Sequence, residues 1–145
     1  MDERKFDEPA LTISGFRMWV HNRQFPDSTD PWDGNWLYVT ARVKDVNACV
    51  WVSGSILTTM DLAAWRDSCE KLLSGDADTA SLEPVEPDLQ ITMRTLDAVG
   101  HLEMRVDITP DVLRQEHILR MEIDQSYLPG LIGELDAVLG EFPVR

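Results

Sequence analysis

Trp36-Leu37-Tyr38-Val39-Thr40-Ala41-Arg42-Val43-Lys44 alternates without a slip, Leu37, Val39, Ala41 and Val43 on one side and Tyr38, Thr40, Arg42 and Lys44 on the other. A period of two marks a strand with one face toward a core and one toward water. Asp45-Val46-Asn47 turns the chain, and Ala48, Val50 and Val52 then alternate with Cys49, Trp51 and Ser53, which predicts an antiparallel hairpin. The rest of the chain is organised around it.

Upstream, Leu11 to Val20 reads as a strand or as a hairpin broken at Gly15, with Phe16, Met18 and Val20 alternating against Arg17, Trp19 and His21. Residues 1–9 read as a flexible charged tail. Downstream, Thr58-Thr59-Met60-Asp61 fits a capping box, in which hydroxyl and carboxylate satisfy orphan N–H groups at a helix start. Leu62, Trp65, Cys69, Leu72 and Leu73 then recur at helical spacing, and Gly75 supplies a left-handed stop.

Residues 76 to 88 read as an acidic loop carrying Asp76, Asp78, Glu83, Glu86 and Asp88, kept extended or turned by Pro84 and Pro87. Leu89, Ile91 and Met93 begin the next strand. Leu102, Met104, Val106 and Ile108 follow the turn at Gly100, and Leu119, Met121 and Ile123 complete a meander. Leu128, Leu131, Ile132, Leu135, Val138, Leu139 and Phe142 form a closing helix stripe, with Ser126 the predicted N-cap, Pro129 in the first turn and Pro143 beyond the end. The expected fold is α+β: one domain over 1–145, an antiparallel meander sheet of about six or seven strands, one helix inserted mid-chain and a C-terminal helix packed on the sheet.

The chain has 145 residues, enough for one ordinary core. Thirteen basic residues stand against 26 acidic ones, a net charge of −13. That field repels nucleic acid phosphates and anionic lipid headgroups, so neither nucleic acid nor membrane is an expected partner. It attracts basic molecules and speeds their encounter. Cys49 and Cys69 have no metal-ligand spacing and are expected to be buried free thiols. No apolar stretch follows Met1-Asp2-Glu3-Arg4-Lys5, so no signal peptide is expected and the location read from the sequence is cytoplasmic.

The segment Gln24-Phe25-Pro26-Asp27-Ser28-Thr29-Asp30-Pro31-Trp32-Asp33-Gly34-Asn35-Trp36 puts three carboxylates and two indoles into one turn-forming loop without a Lys or Arg. Asp27 and Asp30 can each form an Asx-turn. An EF-hand register on Gly34 would need acids at Thr29, Pro31 and Thr40, so that calcium pattern fails. No phosphate-cradling glycine motif is present, Ser53-Gly54-Ser55 lacks the nucleophile-elbow pattern, and His21, His101 and His117 do not form a metal motif. Neither a catalytic residue, a metal nor a cofactor is expected. The five tryptophans leave open a small-ligand or carbohydrate-binding module. Trp65 is expected in the core, Trp36, Trp51 and Tyr38 either under a helix or in an exposed patch, and Trp32 either packed or exposed.

Three stretches resemble the WapI family of immunity proteins, small bacterial proteins that protect a cell from contact-delivered toxins. They are Gln24-Phe25-Pro26 with Trp32-Asp33-Gly34-Asn35-Trp36-Leu37; Leu57-Thr58-Thr59-Met60-Asp61-Leu62 with Trp65 and Leu72; and Leu82-Glu83-Pro84 with Pro87-Asp88-Leu89. The closing Glu141-Phe142-Pro143 also fits, whereas Gly34 stands where the family usually has Ala and Asp88 where it has Asn. The resemblance implies a non-catalytic protein that binds and neutralises a cognate toxin domain, in that family a nuclease acting on RNA. Asp27, Asp30, Asp33, Glu83, Glu86 and Asp88 are then candidate phosphate mimics for a basic cleft, with Trp32 as the anchor.

Overall fold

The computed structural model describes residues 6–145. Strands β1 (Leu11–Ile13) and β2 (Phe16–Arg23) form a hairpin about Ser14-Gly15, so the break expected at Gly15 is a turn. Strands β3 (Trp36–Asp45) and β4 (Ala48–Thr58) form the predicted hairpin, and helix α1 (Thr59–Ser74) follows directly. Then come β5 (Thr79–Leu82), β6 (Leu89–Thr95), β7 (His101–Ile108), β8 (Ile118–Asp124) and helix α2 (Leu128–Glu141).

The strands make two antiparallel four-stranded sheets, β1-β2-β3-β4 and β5-β6-β7-β8, not the single meander expected. The division falls at α1. Its 16 residues carry the chain about 24 Å away from the end of β4 before a strand forms again. Strand β5 therefore pairs with β6 and opens a second sheet. It lies inside the segment expected to be wholly loop, with Ala80 and Leu82 buried and Thr79 and Ser81 facing outward. Helix α1 covers this edge strand, where the Ser81 N–H donates to Ser68 Oγ at 3.3 Å.

The inward side of β3 is realised as read, with Leu37, Val39, Ala41 and Val43 fully buried, but the other side is not open to water throughout: Tyr38 and Lys44 are exposed, whereas Thr40 and Arg42 are buried. The inward residues of β3 join those of the second sheet (Ile91, Met104, Val106), the α1 stripe (Leu62, Trp65, Cys69, Leu72) and the α2 stripe (Leu131, Leu135, Val138) in one core cluster. Each fully buried aliphatic side chain contributes roughly 1.5–3 kcal/mol. Cys69 belongs to that core, and burial pushes its thiol up to about 12. Cys49 is exposed at the start of β4, against expectation, because the outward face of the β3–β4 turn region is open to water.

Both ends of α1 are built as the sequence predicts. Thr58 Oγ1 accepts from the Asp61 N–H at 3.1 Å, the Asp61 carboxylate accepts from the Thr58 N–H at 2.8 Å, and Gly75 closes the helix at φ 83°. Helix α2 differs. A 3-10 turn, Gln125–Tyr127, precedes it, and the Asp124 carboxylate accepts the Ser126 N–H at 2.8 Å. Ser126 is thus not the cap: the chain begins to coil earlier, and Asp124 takes that role.

A bulge in β2 sets the direction of the side chains at its end. Val20 pairs with Val39 and Asn22 with Tyr38, leaving His21 as an extra residue. The extra residue reverses the phase of the strand. Arg23 consequently sits opposite Leu37, on the inward side, and is buried.

A candidate partner-binding loop and its surroundings

Residues 24–35 leave the end of β2 and return at the start of β3, so the hairpin-like pairing of Gln24 N–H with Trp36 O (2.9 Å) closes the base of the loop. Inside it, the Asp30 side chain forms the Asx-turn its position allows: Oδ1 accepts from the N–H groups of Trp32 (2.7 Å) and Asp33 (3.0 Å). The Gly34 N–H reaches Asp30 O at 2.7 Å and completes a short 3-10 turn over Asp33–Asn35. A Cβ at position 34 would lie 2.8 Å from the Ser28 carbonyl oxygen, so the glycine lets the two limbs of this loop approach closely.

Underneath, the loop is fastened by side chains. Asn35 is fully buried, and its amide nitrogen donates to Pro31 O and to Arg145 O (3.1 Å). Its amide oxygen accepts from the Thr59 hydroxyl (2.9 Å) and the Arg145 N–H (2.8 Å). Arg145 Nη1 donates in turn to Pro26 O and Ser28 O, each at 2.7 Å. Arg23, brought inward by the bulge, donates to Gly34 O (2.7 Å) and Pro143 O, with its guanidinium 5.9 Å from the centre of the Phe142 ring. Burial and the nearby Arg145 charge lower its pKa from the ordinary arginine value. The loop is therefore a fixed platform held from below by β2, α1 and residues 143–145.

What it presents outward is the set read from the sequence: Asp27, Asp30, Trp32 and Asp33 are all exposed, Trp32 by 53%. The Trp32 ring meets Trp36 edge to face at 5.6 Å, which holds the exposed indole in place. Glu83 and Glu86 are exposed and Asp88 half-buried in the β5–β6 connection, where the Asp88 carbonyl accepts from the Thr109 N–H at 2.8 Å. That connection belongs to the second sheet and the 24–35 loop to the first. Among the described residues no group of three or more His, Cys, Asp or Glu is placed to hold a metal ion.

A second feature lies on the outward face of the first sheet. Trp19 and Trp51 stack at 5.7 Å, Phe6 packs against Trp19 at 5.3 Å and against His21 at 5.7 Å, and His21 lies 5.7 Å from Tyr38. The Trp19 indole N–H donates to Asp7 O at 2.6 Å. Trp36 and Trp51 are half-buried and Tyr38 exposed. Of the two expectations for these side chains, a helix-covered face or an exposed patch, Tyr38 meets the second, while Phe6 of the expected tail packs over Trp51 at 6.3 Å. Residues 1–5 lie outside the described residues.

Residues 10–143 match the immunity protein WapI-like family. The chain belongs to that family. No match was found among curated proteins. Among solved structures, this WapI-like chain is similar to the CdiA-CT/CdiI toxin and immunity complex from Enterobacter cloacae, at 10% identity and TM-score 0.44, over 81% of this chain and 97% of that one. It is also similar to the plant transcriptional regulator PBF-2, at 8% identity and TM-score 0.52, over 88% and 75% of the two chains. WHY3 from Arabidopsis thaliana matches at 10% identity and TM-score 0.45, over 91% and 85%. At 8% identity the likeness to PBF-2 is one of fold. No helix among the described residues is long and apolar enough to cross a membrane.

Proposed function

We propose that this chain acts in the cytoplasm as a non-catalytic immunity protein that binds the toxic domain of a cognate toxin, a basic nuclease, and neutralises it. The observation that carries the reading is the 24–35 loop: a rigid, exposed set of Asp27, Trp32 and Asp33 in a member of an immunity family. Fixing the loop in advance lowers the ordering cost of binding. The net charge of −13 favours a basic cleft as the complementary surface. Glu83, Glu86 and Asp88 extend the acidic contact from the second sheet.

The chemistry assigns different duties within the loop. Asp30 commits one carboxylate oxygen to two backbone N–H groups and so shapes the loop as well as charging it. Asp27 and Asp33, whose carboxylates accept no hydrogen bond among the described residues, supply the long-range attraction, and Trp32 supplies the desolvated contact. Coexpression with the toxin domain encoded immediately upstream tests the reading. The expected result is co-purification and rescue of growth. Absence of both would sink it.

A further inference from the structure

We propose that the groove between the Phe6 segment, β2 and the end of α2 is a receptor site for a single arginine side chain of a basic protein partner. The groove is open and has a volume of about 500 Å³, within the usual range for ligand sites. Its wall is aromatic: the accessible rings are Phe6 and His21, and the buried Trp19, packed against Phe6 and Trp51, backs them. Its rim is anionic, with Asp7, Glu8 and Glu141, and among the described residues that line it there is no Lys or Arg, His21 being the one basic group. Aromatic faces beside carboxylates fit a cation with a planar, weakly hydrated head, which is the guanidinium.

The end of α2 supplies an independent reason. A helix C-terminus carries partial negative charge and favours a cation. Helix α2 has no basic residue in its last turn and ends on Glu141, which adds to the unfavourable charge. Arg23, the nearby arginine, is buried and engaged by Gly34 O, Pro143 O and the Phe142 ring. It does not line the groove. The position also fits: Phe142 and Pro143 run from this helix end straight into the contacts that fasten the 24–35 loop, so a partner seated on that loop comes close to the groove.

The proposal rests on the toxin-binding reading only for the source of the arginine, and its first test needs no toxin. Acetyl-Gly-Arg-Gly-amide is titrated into the protein while the indole N–H signal of Trp19 is followed by heteronuclear NMR. A saturable shift in the millimolar range is expected, with none from the citrulline peptide of the same shape. The surface double variant E8Q/E141Q should keep the native spectrum and weaken binding about five- to tenfold. An equal response to citrulline, or unchanged affinity in E8Q/E141Q, would overturn the proposal. So would tighter binding by R4Q/K5Q, since the chain's own cations would then be the occupant. In a second arm, the toxin complex of E8Q/E141Q should dissociate faster, and an unchanged complex overturns the assignment. If the toxin domain itself does not bind while the peptide does, the groove stands and the immunity role falls.

Discussion

The side chain of Asn35 bonds the backbone of Arg145 in both directions, donating to its carbonyl at 3.1 Å and accepting from its N–H at 2.8 Å, although 110 residues separate the two. An amide used this way imitates the next strand of a ladder. It joins residues 143–145 to the base of the 24–35 loop, and the Thr59 hydroxyl adds the start of α1 to the same junction.

Replacing Asn35 by Ala should therefore destabilise far more than so small a change suggests. It leaves the buried Thr59 hydroxyl, and the part-buried Arg145 backbone groups, without their partner; an unsatisfied buried group costs about 1–3 kcal/mol and a part-buried one less. A loss of about 2–4 kcal/mol is expected in urea denaturation, together with a broadened Trp32 indole resonance as the loop loosens. A loss below about 0.5 kcal/mol would show that the junction does not hold the loop.

The α1 capping box gives a smaller and more local prediction. Thr58→Ala removes the acceptor for the Asp61 N–H, worth about 1 kcal/mol, whereas Thr58→Ser keeps the hydroxyl and most of that stability. Equal losses for the two variants, measured by the same denaturation, would mean that the methyl group and not the cap is what matters at this buried position.

These two junctions also show how much of the molecule is legible in the sequence. The capping box can be read because a cap is local: donor and acceptor lie within four residues. The alternation of β3 is readable for the core side of the strand, but not for the burial of Thr40 and Arg42 on the other side, which depends on what packs over it. Nor does the alternation say which strands pair. Ala80 and Leu82 are only two inward residues, set among acids and prolines, and they carry no strand signal for β5 or for the sheet it opens. The exposed tip of the 24–35 loop is apparent from its composition. Its fastening by Arg23, Asn35 and Arg145 is not, because contacts across 110 to 120 residues leave no periodic trace, and the phase reversal at His21 that turns Arg23 inward is a property of pairing.

The β6–β7 turn should show a pH-dependent contribution to stability. His101 Nδ1 lies 2.6 Å from Asp97 Oδ2. That contact raises the His101 pKa above its ordinary 6.5, while the same hydrogen bond, with those from the Val99 and His101 N–H groups, lowers Asp97 below 3.8. The histidine's contribution is complete below pH 6.5 and disappears as pH rises through its raised value. The carboxylate's is complete above pH 3.8 and disappears as pH falls through its lowered value. The pair thus stabilises the turn most between those limits. The melting-temperature difference between the native chain and H101Q should be largest near pH 5 and shrink above neutrality. A difference independent of pH would remove the ion pair as its cause.

The loop geometry separates the carboxylates that steer a partner from the one that shapes the contact. Charge reversal at Asp27 and Asp33 should slow association with a basic toxin domain about tenfold at low salt and flatten the salt dependence, while the dissociation rate changes little. Asp30→Asn keeps an oxygen for the Trp32 and Asp33 N–H groups and removes only charge, so its effect should be modest and confined to association. Asp30→Ala also removes the acceptor, so it should raise the dissociation rate as well. Trp32→Ala should leave folding stability within about 0.5 kcal/mol, because the ring is exposed, yet weaken the complex by about 2 kcal/mol or more. Surface plasmon resonance across a salt series distinguishes these outcomes. If Asp30→Asn and Asp30→Ala behave alike, the Asx-turn is irrelevant to binding; if Trp32→Ala binds as the native chain does, the partner does not sit on this loop.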